Sequence, residues 1–257
     1  MIDSKAQQSD LLDCLLRMGD LMLDAGAEIS RVEDTLSRLG TAYGAMRTDV
    51  FVITSMISMT MEFPGFEAVT ETRRIRSDGQ PDFYRLEKLN NLSRSCCAEP
   101  LPLEELHQNL EHVAAGRKPL YAKLIGSVLA AGAFAVFFGG TMPDGLVSAV
   151  FAVAICFLQE RLSHTDVKPV GENLIISLLI GLGVGIASAL LKPLHMDMIL
   201  IGDIMLLIPG LAMTNAIRNM LVGNTISGVV RLAESLMWAA ALAGGIMVAL
   251  TIVNYLH

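Results

Sequence analysis

The chain lacks most of what a soluble enzyme or a nucleic-acid binder carries. No lysine follows a glycine anywhere in its 257 residues. That excludes the Gly-x-x-x-x-Gly-Lys loop that cradles nucleotide phosphates, and with it the simplest ATP-driven pump. There is no His-Glu-x-x-His and no Gly-x-Ser-x-Gly, which removes the common zinc-protease and serine-hydrolase signatures. Basic residues are outnumbered, 19 Lys/Arg against 26 Asp/Glu, for a net charge of −7. Without a basic stripe to meet phosphates, nucleic acid is excluded as a partner. Cys14, Cys96, Cys97 and Cys156 form no Cys-x-x-Cys pair, and adjacent Cys96 and Cys97 bridge only with strain, so reduced thiols are expected. His107 and His112 stand five apart, which splays them around a helix instead of converging them on a metal. No catalytic residue, metal or cofactor is expected.

Aromatic residues are scarce too, at 5%, while hydrophobic residues reach 53% and the mean hydropathy is +0.52. Leu, Ile, Ala, Val, Met and Gly therefore supply the apolar mass, as suits closely packed membrane helices. Its distribution changes once, near Lys118. Residues 1–118 hold 13 Lys/Arg and 19 Asp/Glu, whereas residues 119–257 hold only 6 and 7. The second part contains apolar stretches approaching the roughly 20 residues that cross a hydrocarbon core. Five crossings are expected, at roughly 120–138, 143–160, 172–191, 199–218 and 230–252. The polar start, Met1–Asp10, is no signal peptide. The fold class is therefore an α+β head, residues 1–118, followed by an α-helical multi-pass membrane domain, residues 119–257.

Orientation follows from the cations beside the crossings. Arg117, Lys118, Lys123, Arg161, Lys168, Arg218 and Arg231 fall on one side, and Lys192 alone on the other. This asymmetry predicts a cytoplasmic head and a C-terminus outside. Small residues recur at four-residue spacing, Gly126 with Ala130 and Gly181 with Gly185. Such faces serve bundle packing within the chain or a homo-oligomer contact.

In the head, Asp10, Asp13, Arg17, Asp20 and Asp24 trace one helical stripe, expected to be a solvated face, with Leu12, Leu15, Leu16, Met22 and Leu23 opposite. Ser30 and Glu33 have capping-box spacing, so a second helix is expected from there to about Ala42. Ile57, Met59, Met61 and Phe63 alternate with polar residues as a half-buried strand, and Pro64-Gly65 turns into a second strand ending near Ile75. After Asp78-Gly79, Leu86, Leu89, Leu92, Leu103, Leu106, Leu110 and Val113 restore the helical period. Arg73, Arg74 and Arg76 read as an exposed strand end, with anionic headgroups or a carboxylate as alternative partners.

The fourth crossing concentrates polar groups where they are expensive and default to function. It runs through Asp203, Pro209-Gly210, Thr214, Asn215, Arg218 and Asn219. Pro209 cannot donate to the carbonyl of Met205, so the helix either kinks or breaks at mid-crossing. A break would set a half-helix N-terminus against a small anionic or zwitterionic substrate. Pro209, Gly210, Thr214, Asn215 and Arg218 are the candidate substrate-binding residues. Arg231 and Glu234, three apart on one helix face, and Asp203, with no sequence-local base, are the candidates for gating or proton coupling.

Taken together these segments resemble the threonine/serine exporter family, and within it the short YjjP-like subunits. In the head the resemblance rests on Gly26, Ala27, Glu28, then Arg31, Val32, Glu33, then Thr72, Arg73, Leu89, Asn90, Leu92, Ser93 and Arg94. In the apolar half it rests on Pro209, Gly210, Thr214, Asn215, Ala216, Ile217, Arg218, Gly228, Arg231 and Glu234. It implies export of small metabolites from the bacterial cytoplasm across the inner membrane. The substrates implied are threonine and serine in long fused members, and dicarboxylates such as succinate in split ones. Long members continue beyond the position of His257, so the resemblance also implies a small membrane-protein partner subunit. The reading is thus a subunit of a secondary exporter of carboxylate-bearing metabolites. The alternatives are a membrane-anchored enzyme or regulator acting through its head, and a purely structural assembly subunit.

Overall fold

A computed structural model describes residues 4–75, 82–116, 120–162, 165, 168–191 and 193–256. Arg76, Asp78-Gly79, Arg117, Lys118, Lys192 and His257, which entered the expectations above, lie outside these residues. The chain forms two compact units, Met1–Arg117 with Thr214–Leu232, and Lys118–Met213 with Ala233–His257.

The first unit begins with α1 (Lys5–Asp24) and α2 (Ile29–Ala42). The antiparallel sheet β1 (Arg47–Ile53), β2 (Met56–Glu62), β3 (Val69–Arg74) follows in that order, then α3 (Phe83–Ala98) and α4 (Leu103–Ala115). The apolar side of α1 is its core: Leu11, Leu12, Leu15, Met18 and Met22 are fully buried, against Val32, Leu36 and Leu39 of α2 and Ile57 and Met59 of β2. Each such side chain contributes roughly 1.5–3 kcal/mol relative to exposure. The α1 helix presses closest at Gly19, where an added Cβ would meet Ile57 Cδ1 at 2.7 Å and Leu36 Cδ1 at 3.0 Å. The other sheet face is a hydroxyl ladder, Thr60 with Thr70 at 2.8 Å and Thr72 with Ser58 at 3.3 Å. Pro64-Gly65 makes the expected turn, with Gly65 at φ +81.

Two expectations for the head are corrected. Ser30 does not cap α2; the cap is Glu28, and the Glu33 carboxylate instead accepts from Val52 N–H at 3.1 Å. The sheet has a further strand, β1, whose Phe51 is exposed and whose Val52 alone is fully buried, too weak an alternation to read. The acidic stripe of α1 faces solvent as expected, and it carries ion pairs. Asp13 binds Arg73 at 2.8 Å, Asp24 binds Arg85 at 2.8 Å, and Arg17 bridges Asp20 and Glu111.

The second unit holds α5 (Leu120–Phe137), α6 (Met142–Leu162), α7 (Pro169–Leu190), α8 (Met196–Ile204), and most of α10 (Thr225–Leu256). The short α9 (Gly210–Leu221) precedes α10. Packing depends on missing side chains: Gly132 and Gly145 face each other, each a would-be Cβ 3.0 Å from the other's carbonyl oxygen. Gly181 lies against Ala249 and Gly185 against Val253, so this small-residue stripe packs within the chain. Gly126 has open space beside it. Among the described residues, three helices are long and apolar enough to cross a membrane, Met142–Leu162, Pro169–Leu190 and Thr225–Tyr255; the apolar helix Tyr121–Phe137 is shorter. The expected fourth crossing is not one helix but two, α8 and α9.

Candidate functional site

Pro209 accounts for the interruption. Its ring supplies no N–H for the carbonyl of Met205 and disfavours helical backbone at Ile208. The α8 helix accordingly stops at Ile204, and the chain tightens into turns, with Leu206 N–H donating to Asp203 O at 3.2 Å and Leu207 N–H to Ile204 O at 2.9 Å. Gly210 N–H then closes a narrow turn on Ile208 O at 2.9 Å, and Met213 N–H closes the first turn of α9 on Pro209 O at 3.0 Å. The N–H groups of Leu211 and Ala212 fall between them, at positions where a helix start has no intrahelical partner. The interruption spans Met205–Pro209, wider than a kink at Pro209 alone.

Beyond it, Thr214 is exposed, Asn215 half-buried and Asn219 buried. Arg218 Nη1 forms an ion pair with Glu28 Oε1. Local geometry presents that glutamate: α1 ends in a Schellman motif, with Gly26 at φ +86, Ala27 N–H donating to Met22 O at 2.9 Å and Gly26 N–H to Leu23 O at 3.0 Å. The turn delivers Glu28 to the start of α2. The Gly26-Ala27-Glu28 segment therefore has a structural reason and a partner 190 residues away.

Asp203 sits near the end of α8 with 1% of its surface exposed. Ser148 Oγ of α6 donates to Asp203 Oδ1 at 2.8 Å, and among the described residues Oδ2 has no hydrogen-bond partner. Beside it, a Cβ on Gly202 would stand 2.6 Å from both Ala131 O and Ser148 Oγ, which shows how closely α8 lies between α5 and α6. Arg231 is half-buried and Glu234 exposed, both on α10. Thus the structure joins Asp203 to Ser148 and Arg218 to Glu28, neither of which is a pairing within the expected set.

A second carboxylate went unread in the sequence. Asp144, fully buried, accepts from Thr141 N–H and Oγ1, both at 2.7 Å, and from His195 N–H at 2.8 Å, with His195 Nδ1 at 2.9 Å. It caps the start of α6 and holds the start of α8. Thr141-x-x-Asp144 carries the capping spacing and was legible; His195, 51 residues on, was not.

Cys14 Sγ lies 4.0 Å from His107 Nδ1. However, burial, then the neighbouring Asp13 and Asp10 carboxylates, push the Cys14 thiol up to about 11, so it is no activated nucleophile at neutral pH. Among the described residues no group of three or more His, Cys, Asp or Glu is placed to hold a metal ion.

Long apolar helices, glycine-mediated packing and a proline-interrupted helix bearing polar groups define a helical membrane protein. Residues 13–253 match the family described as "Putative threonine/serine exporter", and the chain belongs to that threonine/serine exporter family. It is 21% identical over 98% of its length to the "Threonine/serine exporter" of Corynebacterium glutamicum, covering 53% of that protein. It is 23% identical over 93% of its length to the "Probable threonine/serine exporter" of Mycobacterium tuberculosis, covering 46%. It is 22% identical over 96% of its length to the "Probable succinate transporter subunit YjjP" of Klebsiella aerogenes, covering 95%. The chain spans about half the length of the two exporters. No solved structure matches.

Proposed function

We propose that this chain is a subunit of a secondary exporter that moves small carboxylate-bearing metabolites out of the bacterial cytoplasm. The substrates would be threonine and serine, or dicarboxylates resembling succinate, and a small membrane-protein partner would complete the pathway. The observation that carries the reading is the helix interruption at Met205–Pro209, followed by Thr214, Asn215 and Arg218. Polar groups on so apolar a background are costly within a membrane and default to a functional role. In this reading Pro209, Gly210, Thr214, Asn215 and Arg218 meet the substrate, and Asp203, Arg231 and Glu234 gate it or couple it to an ion. Arg218 then exchanges the Glu28 carboxylate for that of the substrate. Membership of the exporter family supports the class of activity, and the similarity to a protein named as a succinate transporter subunit supports a partner.

The accompanying topology is a cytoplasmic head, residues 1–118, five crossings within residues 119–257, and a C-terminus outside the inner membrane. The cation asymmetry supports it. A reporter active only in the cytoplasm should work at the N-terminus and fail at the C-terminus; activity at both ends would make the crossing number even. The function is tested by uptake of labelled serine and of labelled succinate into inverted vesicles containing this chain, with and without the candidate partner. Uptake of one of them above that of empty vesicles, and greater with the partner, is expected. Transport of neither substrate would overturn the reading. Equal rates without the partner would overturn the two-component arrangement.

A further inference from the structure

We propose that Asp203 and Ser148 form a buried proton-exchange site, and that proton release there shifts α8 against α5 and α6. This deepens the exporter reading and rests on it. The site is a carboxyl group enclosed by three helices, with one oxygen held by the Ser148 hydroxyl at 2.8 Å and the other without a hydrogen-bond partner among the described residues. Buried polar atoms nearly always have a partner, and one without is a place to look for a species that comes and goes. One carboxylate and one hydroxyl are too few for a metal cation, which collects about six oxygens, and no larger ligand cluster exists among the described residues. A proton needs only Oδ2.

Among the described residues, no charged side chain is hydrogen-bonded to Asp203. α10, which carries Arg231 and Glu234, reaches the apolar cluster of α8 through Leu242, and the elements packed most closely against α8 are α5, α6 and α7. Their charged groups among the described residues are Lys123 on α5, Asp144, Glu160 and Arg161 on α6, and Glu172 on α7, with Asp197 on α8 itself. Among the described residues, the hydrogen bond that Asp203 makes is with the Ser148 hydroxyl. Asp144 is already committed to Thr141 and His195. When the acid gives up its proton, the O–H bond breaks, the electron pair stays on Oδ2, and the proton passes to a water molecule admitted to the site. The carboxylate left behind then has one hydrogen-bond donor where an ionised carboxylate can use about four, so it must gain water or donors. The cleft cannot supply that room as it stands, because Gly202 is already in contact with Ala131 O and Ser148 Oγ. The α8 helix has to give way, and its C-terminal end is the interrupted segment that leads to Pro209-Gly210. Proton exchange at Asp203 is thereby linked to the geometry of the proposed substrate segment.

The test uses the chain with its partner in proteoliposomes, and labelled serine or succinate as the probe. Two modes are compared, counterflow with no pH gradient and accumulation driven by one. Asp203→Asn should keep counterflow within about threefold while losing at least tenfold of gradient-driven accumulation. Ser148→Ala should keep both modes with a displaced pH midpoint. Accumulation by Asp203→Asn equal to wild type, or a Ser148→Ala pH profile superimposable on wild type, would overturn the proposal while leaving export intact. A readout independent of transport is infrared difference spectroscopy of the full chain between two pH values. A carboxylic-acid carbonyl band should vanish in Asp203→Asn and move in Ser148→Ala. Its absence from wild type would overturn the site, whereas its presence without any transport would overturn only the exporter reading. Should Asp203→Asn fail to fold, the wild-type band and the Ser148→Ala shift decide the matter.

Discussion

Gly202→Ala asks whether α8 is held where it lies. The new methyl would stand 2.6 Å from Ala131 O, 2.6 Å from Ser148 Oγ and 2.9 Å from Ala135 Cβ. The serine can rotate away, at the loss of its bond to Asp203. The carbonyl is backbone and the alanine methyl has no rotamer, so neither yields without moving a helix. Restoring ordinary contact at about 3.5 Å requires α8 to withdraw by roughly 0.5–1 Å. Overpacking of this kind costs about 1–3 kcal/mol, and the lost hydrogen bond to a carboxyl adds about 1–3. At roughly 2–4 °C per kcal/mol for a chain of this size, the melting temperature in detergent should fall by roughly 4–24 °C. Gly210→Ala is the matched control. Nothing lies within 4 Å of its Cβ, and Gly210 is not among the positive-φ glycines, so the same methyl should be neutral or stabilise by up to about 1 kcal/mol. Thermal melting of both variants by tryptophan fluorescence or by aggregation onset decides it. If Gly202→Ala melts with wild type, or Gly210→Ala falls as far, the close seating of α8 is refuted.

Pro209→Ala restores the missing N–H and should favour a continuous helix, abolishing export with unchanged or slightly higher melting temperature; normal export would reduce Pro209 to a kink. Arg218→Gln should weaken substrate capture from the cytoplasmic side, and Glu28→Gln, which frees Arg218, should strengthen it, as read in the KM of vesicle uptake. Arg218 is 62% exposed in its pair with Glu28, so neither change should move stability by more than about 1 kcal/mol; KM shifts of the same sign would refute the exchange. Folding raises the Cys14 thiol from 9.0 to about 11, so the native state retains its proton where the unfolded state has lost it. This contribution is fully present below pH 9 and is lost as pH rises through about 11, amounting to roughly 3 kcal/mol at most. The stability gap between wild type and Cys14→Ala should narrow across that window; parallel curves would refute it.

Local periodicity and turn chemistry were legible, because they depend on neighbours in sequence. The α1 stripe, the alternation of Ile57, Met59 and Met61, and the Pro64-Gly65 turn all appear as read. Pro209 announced a disturbance, though not that the helix would stop five residues earlier. What failed was whatever depended on distant partners. Ser30 and Glu33 have the right spacing for a cap, yet Val52 N–H, 19 residues on, claims the glutamate. Asp203 stood out as an isolated acid, but Ser148, 55 residues away, is one serine among many until the helices are packed. The partner that Arg218 has here, Glu28, lies 190 residues away, and nothing local pointed to it.

The double engagement of Asp144 has an evolutionary consequence. One side chain serves as capping group for α6 and as anchor for the first residues of α8, so a substitution there is scored twice, in two helices that are distant in sequence. A replacement at Thr141 alone, or at His195 alone, cannot compensate both. Thr141 and His195 also donate through backbone N–H groups that any residue but proline supplies, so of the three positions Asp144 should be the least free to drift.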